Sequence, residues 1–280
     1  MILAIDMGNT NTVIGGIDET KTYFIERVTT DQNRTDTEYA VTIKNVLEMH
    51  EIHPSAIEGA ILSSVVPPLN STILRAVEKI VGVRPLLVGP GIKTGINILM
   101  DNPKTLGSDL IVDVAAAIHE HPLPLVVIDM GTATTMSVAD KQGNYIGGVI
   151  LPGLRVSLNS LSGKTAQLPY ISLEVPDKVI GKNTIDCMRA GIIFSNVDMI
   201  DGLLDRMEKE LGEAPTVIAT GGLARFITPL CRHKIIYDDA LLLKGLLILY
   251  RKNPQKKTSR CFWKPARNGG CFYLHLPLLC

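Results

Sequence analysis

A seven-residue turn occurs twice in this chain. Asp6-Met7-Gly8-Asn9-Thr10-Asn11-Thr12 returns 123 residues later as Asp129-Met130-Gly131-Thr132-Ala133-Thr134-Thr135, with four of the seven positions identical. Each copy follows a short apolar run, residues 2–6 and 125–129, that reads as a buried strand. Each leads into a second strand, 12–17 and 134–139. A repeat constrains architecture because each copy must fold as its own supersecondary unit. This one predicts two similar α/β domains with a cleft between them, each presenting a strand–turn–strand to that cleft.

The remaining pattern agrees. Strand-like runs at 58–66, 85–88, 145–150 and 216–220 alternate with helical patterns at 38–49, 70–81, 108–119, 184–211 (one or two helices) and 241–250. Alternation of this kind builds α/β folds. Pro67-Pro68 stops the 58–66 strand, since proline cannot donate to a ladder. In the 38–49 helix, Val41, Val46 and Met49 read as the apolar face. The expected domains are 1–117 and 118–252, with the last helix packing back on the first domain.

At about 150 residues per domain, 280 residues suit two domains. Lys plus Arg and Asp plus Glu both number 28, so the formal net charge is zero. That average hides a split. No acidic residue follows Asp239, while seven basic residues lie in 251–280. Residues 1–250 therefore hold 21 basic against 28 acidic side chains, a net −7, and the last thirty hold +7. An acidic body lacks the basic footprint of a nucleic-acid binder. Five cysteines, an odd number without a CxxC pair, do not make a disulfide framework. Cys187 and Cys231 are expected to be buried, inert thiols. No basic segment precedes the four-residue apolar run after Met1, and no run of eighteen apolar residues occurs. Neither a signal peptide nor a membrane span is expected, and a cytoplasmic location follows.

The repeated turn has chemistry of its own. Its glycine admits backbone conformations closed to other residues. Successive peptide N–H groups can then line a concavity suited to phosphate oxygens. Asn9, Thr10, Asn11 and Thr12 add neutral donors, and the strand-end Asp offers a carboxylate to a cation or to water on that cation. A plain hairpin with turn-forming Asn and Gly would look similar. Duplication of a hydroxyl-rich turn at equivalent strand ends favours the phosphate reading. Neither a P-loop nor a dinucleotide fingerprint occurs in the chain.

The duplicated turns resemble those of the actin-like ATPase superfamily, which includes sugar kinases and Hsp70-type chaperones. Within it, the run from Ile5 to Thr12, Asp101-Asn102-Pro103, Gly107-Ser108-Asp109, the Asp129 turn, Gly147-Gly148 through Pro152-Gly153, Gly181 to Thr184 and Thr220-Gly221-Gly222 resemble type III pantothenate kinase. The motifs come in order from residue 2 to about residue 252. The resemblance implies two actin-like (ribonuclease H-like) domains. It also implies ATP-dependent phosphorylation of pantothenate to 4′-phosphopantothenate, the first step toward coenzyme A, by a cytoplasmic homodimer that needs neither nucleic acid nor membrane.

Roles carried over by this resemblance are specific. Asp109 is the general base that takes the proton of the substrate hydroxyl, or else a helix cap. Asp6, Met7, Gly8, Asn9, Thr10, Asn11, Thr12 and Val13 bind ATP, with Asp6 acting through magnesium. Thr132, Gly221 and Gly222 also bind ATP, the glycines letting adenosine approach the backbone. Asp129 holds a monovalent cation, potassium or ammonium. Met100, Gly107, Ser108, Asp109, Leu110 and Thr184 face the pantothenate, although Thr184 could instead cap the next helix. Gly147-Gly148 and Pro152-Gly153 either line the cleft or make structural turns. Two positions depart from the family: Leu110 stands where an Arg is common, and Met100 where a Tyr is frequent.

Two other functions fit the same turns. One is a non-catalytic ATP-fold regulator akin to a transcriptional accessory factor, which the Leu110 change would suit. The other is a sugar kinase. The basic, cysteine-rich tail at 253–280 matches nothing in the family pattern. It reads as an appended or out-of-frame extension that is no domain and is dispensable.

Overall fold

A computed structural model of the chain describes residues 1–255. The expectations for the tail beyond Gln255 lie outside the described residues. The elements run β1 (Ile2–Met7), β2 (Asn11–Ile17), β3 (Thr22–Thr29), α1 (Asp36–Met49), β4 (Gly59–Ser64), α2 (Asn70–Val81) and β5 (Leu86–Leu87). They continue through α3 (Ser108–Glu120), β6 (Leu125–Met130), β7 (Ala133–Ala139), β8 (Tyr145–Pro152), α4 (Leu154–Lys164) and α5 (Thr184–Leu211). The last are β9 (Thr216–Thr220), α6 (Ala224–Ile227), β10 (Ile235–Tyr237) and α7 (Leu241–Lys252). Contacts divide the chain into two units. Among the described residues, the first holds Met1–Thr94, Gly107–Asp109 and 246–255; the second holds Gly95–Leu106 and Leu110–Gly245.

Each unit is built on a five-stranded sheet, ordered β3-β2-β1-β4-β5 in the first and β8-β7-β6-β9-β10 in the second. In the first, β1 and β2, and β2 and β3, are antiparallel, while β4 runs parallel to β1 and to β5. The second repeats this pattern strand for strand. The seven-residue repeat therefore marks a duplicated α/β domain.

Both central strands are buried on two faces, which is why they read as unbroken apolar runs. In β1, Leu3, Ile5 and Met7 pack with Tyr39, Ile43 and Leu47 of α1 and Ile73 and Val77 of α2. In β6, Val126, Ile128 and Met130 meet α4 and α5, while Leu125 and Val127 meet Val114 and Ala116 of α3 and Leu241 of α7.

The structure corrects several expectations. The core face of α1 is Tyr39, Ala40, Ile43, Val46 and Leu47, and Val41 and Met49 are 52% and 71% exposed. Tyr39 decides the phase: its side chain is buried, and its hydroxyl donates to the Asp31 carbonyl at 2.9 Å. The i, i+4, i+7, i+8 positions that follow then turn Val41 and Met49 outward. Cys187 is exposed rather than buried, because it lies in the first turn of α5 off the stripe that begins at Met188. Cys231 is half-buried, and burial, followed by the charges of Asp201 and Asp198, pushes its thiol up to about 12. Residues 184–211 form one helix, capped by the Asn183 side chain and ended by left-handed Gly212 (φ 76°). Four elements had no counterpart in the sequence reading: β3, α4, α6 and β10. The α4 segment is rich in Ser and Asn, and β10 has only three residues.

Candidate active site

The first turn joins β1 to β2 in the register Asp6↔Val13 and Met7↔Thr12. The Gly8 amide donates across the turn to the Asn11 carbonyl at 3.0 Å. A Cβ on Gly8 would press on that same oxygen at 3.0 Å. Asn9, Thr10 and Asn11 are exposed at the tip, Asp6 and Val13 are half-buried, and Thr12 is buried. Thr12 therefore does not stand with the other polar side chains at the tip. Its hydroxyl lies 2.8 Å from that of Thr30, whose own proton goes to the Gly8 carbonyl at 2.8 Å.

Asp109 belongs to the same unit. Ser63 of β4 is the register partner of Asp6, and its buried hydroxyl lies 3.0 Å from the Ser108 hydroxyl. The Ser64 amide donates to Ser108 Oγ at 3.2 Å, and the Ser64 carbonyl lies 3.2 Å from it. Three polar groups at the end of β4 thus hold the first residue of α3. Asp109, next in sequence and half-buried, is carried to the end of the sheet that bears Asp6. Ser108 has its hydroxyl committed to this latch. Leu110 is half-buried and falls in the second unit.

The second turn is one residue tighter: the Gly131 amide donates to the Ala133 carbonyl at 3.0 Å. Asp129 pairs with Thr135 of β7 and Thr220 of β9. Gly221, just past β9, has φ +94°, and a Cβ there would lie 2.7 Å from Asp129 Oδ1. The repeat's carboxylate and the first glycine expected to receive adenosine are thus neighbours. Gly222 follows, half-buried. Thr132 is exposed, and its carbonyl accepts from the Gly153 amide at 3.2 Å.

Gly147 and Gly148 lie inside β8. A Cβ on Gly148 would strike the Met136 carbonyl, and Gly147 has φ +138° at a register shift between β7 and β8. Close strand packing accounts for Gly148, and the positive φ for Gly147. Met100 sits beside Gly147, its sulfur 3.9 Å from where a Cβ would stand. Thr184 is the exposed first residue of α5, and Asn183 takes the cap by accepting from the Asp186 amide at 2.9 Å.

The sequence reading passed over Ser63 and Thr30. The signal for Ser63 is a hydroxyl at the end of an otherwise apolar buried strand. Thr30 carried none, because its partners are 18 and 22 residues away. Among the described residues no group of three or more His, Cys, Asp or Glu side chains could hold a metal ion. No described helix is long and apolar enough to cross a membrane.

The type III pantothenate kinase profile matches residues 2–206. The chain belongs to the type III pantothenate kinase family. Among its relatives, the type III pantothenate kinase of Bacillus cytotoxicus is 43% identical over 253 residues, covering 90% of this chain and 97% of that protein. That of Listeria monocytogenes is 43% identical over 253 residues, with 90% and 98% covered. The family's members are kinases that transfer phosphate from ATP to pantothenate, a small-molecule substrate on the route to coenzyme A. Solved structures share the two-domain actin-like ATPase and sugar kinase fold. A Baf-family protein from Campylobacter jejuni superposes with TM-score 0.56 at 20% identity, covering 90% of this chain and 99% of that one. The (R)-2-hydroxyglutaryl-CoA dehydratase component A of Acidaminococcus fermentans gives 0.52 at 16% identity, covering 89% and 96%. At these identities the likeness concerns the fold alone, so neither the regulator nor the sugar-kinase reading gains from it.

Proposed function

We propose that this chain transfers the γ-phosphoryl group of ATP to the primary hydroxyl of pantothenate, with Asp109 as general base. The observation that carries this is the Ser63–Ser108 latch, which holds the Asp109 end of α3 beside the strand pair bearing Asp6. Asp109 accepts the hydroxyl proton as the substrate oxygen bonds to the γ-phosphorus. The bond from that phosphorus to the β–γ bridging oxygen breaks, and ADP leaves. A positioned carboxylate contributes on the order of 10²–10⁴-fold to such a step, and most of the rest is positioning and charge neutralisation.

The residues fit a metal-bound nucleotide. Asp6 and Asp129 stand at separate strand ends, not in a cage. Magnesium takes one or two carboxylates and otherwise keeps water and phosphate oxygens. When bound, magnesium and a monovalent cation (potassium or ammonium) would neutralise phosphate charge. Asp6 would act through magnesium, and Asp129, against Gly221, would hold the monovalent ion. Asn9, Thr10, Asn11 and Thr132 would contact phosphate, and Gly221-Gly222 the adenosine. Residues 1–117 would supply the first turn and the base, and 118–252 the second turn. Met100, Leu110 and Thr184 would face pantothenate. Leu110 offers apolar contact in place of the bidentate carboxylate partner an Arg would give.

A homodimer in the cytoplasm completes the reading. Val179 and Ile180, 66% and 82% exposed, sit beside Ala190, Gly191 and Phe194 of α5 in one groove. An apolar groove of this kind suits a second copy.

ADP release is the deciding assay. Wild-type protein with ATP, magnesium, potassium and pantothenate should release ADP, and omission of potassium should slow it. Hexoses should not replace pantothenate. ATP binding without ADP release would overturn the reading in favour of a regulator.

A further inference from the structure

The two turns share a sequence pattern, yet they are braced differently. Beneath the first, Thr30 follows β3 and makes three hydrogen bonds to it. Its amide donates to the Thr10 carbonyl at 3.0 Å, its hydroxyl donates to the Gly8 carbonyl at 2.8 Å, and it accepts from the Thr12 hydroxyl at 2.8 Å. The next residue, Asp31, is fixed from the other side: its amide donates to Tyr39 Oη at 3.0 Å, and its carbonyl accepts from that hydroxyl at 2.9 Å. The chain Tyr39–Asp31–Thr30 therefore ties the turn to the buried face of α1.

In the second copy the equivalent brace is Gly153, whose amide donates to the Thr132 carbonyl at 3.2 Å as Thr30 does to Thr10. It has no side chain, and a Cβ there would collide with the Thr132 carbonyl oxygen. Thr134, which pairs with Met130 across the shorter turn as Thr12 pairs with Met7, is buried with no hydrogen-bond partner for its hydroxyl among the described residues. Among the described residues the hydroxyl clasp thus stands only under the first turn.

We propose that Thr30 is a positioning residue for nucleotide: its hydroxyl locks the Gly8 carbonyl and the Thr12 hydroxyl so that the Asn9-Thr10-Asn11 tip is preset to receive phosphate. This rests on the nucleotide reading of the first turn. Fixed donors cost no reorganisation when the charged ligand arrives. Without the clasp, the Thr12 hydroxyl becomes a buried orphan like that of Thr134, and the turn must be ordered at the expense of binding.

The test compares Thr30→Val, Thr30→Ser and Thr12→Val with wild type. Calorimetric binding of magnesium with a non-hydrolysable ATP analogue is read beside steady-state kinetics. Thr30→Val should weaken analogue binding and raise KM for ATP about tenfold, or about 1.4 kcal/mol, with KM for pantothenate within about twofold of wild type. Thr30→Ser, which keeps the hydroxyl, should restore both to within about twofold. Thr12→Val added to Thr30→Val should cost nothing more, because the two share one interaction. Should Thr30→Val not fold, Thr30→Ala serves in its place. Analogue binding by Thr30→Val equal to wild type, even with a lowered Tm, would overturn the proposal, as would a Thr30→Ser loss as large as that of valine. If wild type binds the analogue but makes no ADP from pantothenate, the kinase reading fails, and the calorimetric series still decides the role of Thr30.

Discussion

The hydroxyls of Ser108 and Ser63 stand 3.0 Å apart, tying the first residue of α3 to the strand that pairs with Asp6. Neither serine need touch substrate for this bond to matter. It fixes the start of the helix that carries Asp109.

Replacing Asp109 by Asn should lower kcat by about 10²–10⁴-fold while leaving binding of an ATP analogue within about threefold. Ser63→Ala should act more mildly through the lost latch, costing about 1 kcal/mol of stability and about tenfold in kcat. Steady-state kinetics beside thermal melts separate the two effects. An Asp109→Asn protein that still turns over at the wild-type rate would remove Asp109 from the mechanism.

Gly221 admits no side chain. With φ +94° and a would-be Cβ 2.7 Å from Asp129 Oδ1, Gly221→Ala should destabilise the protein by at least about 1 kcal/mol. It should also displace the Asp129 carboxylate. Raised KM for ATP, together with a weaker response to potassium, is the expected kinetic signature. Unchanged values for both would show that Gly221 is only a turn.

A buried carboxylate sets an acid limit on stability. Asp201 is buried on α5; its burial opposes ionisation. The amides of Arg232 and His233, with the His233 ring at 2.8 Å, outweigh that and hold its pKa below the usual value. A depressed carboxylate stabilises the fold fully above its unfolded pKa of about 3.9. The contribution is lost as pH falls through the lower folded-state value. Asp201→Asn should cost about 2 kcal/mol at pH 7, and the gap to wild type should narrow below about pH 4. Urea titrations at both pH values measure it.

The end of α7 marks where the tail can be cut. Asn253 accepts from the Lys93 amide and donates to the Lys93 carbonyl, both at 2.9 Å, and its side chain also donates to the Leu249 carbonyl at 2.8 Å. These bonds tie Asn253 to the segment before α3 and to α7. A chain ending at Gln255 should keep wild-type kinetics. One ending at Lys252 should lose about 1 kcal/mol, seen as a Tm lower by about 2–4 °C. Equal Tm values would show that the Asn253 bonds contribute nothing.

What the sequence settled by itself was local or repeated. The Asp6 and Asp129 turns declared the duplication, because a turn's shape is set by its own few residues. The apolar runs of β1 and β6 declared a sheet covered on both faces, because such runs are stable only when buried. Ordered motifs from Ile5 to Gly222 declared the family. The phase of α1 was decided by tertiary contact: Tyr39 must bury its ring and reach Asp31, and that turned Val41 and Met49 to solvent. Cys187 and Thr184 escaped for a related reason, since burial and capping depend on what lies opposite. The parts of the site that act through distance were wholly tertiary. Ser63 meets Ser108 across 45 residues, Thr30 meets Gly8 across 22, and Gly221 meets Asp129 only because β9 lies beside β6. A hydrogen bond between residues far apart in sequence leaves no spacing to read. Only the folded sheet brings such groups within 3 Å.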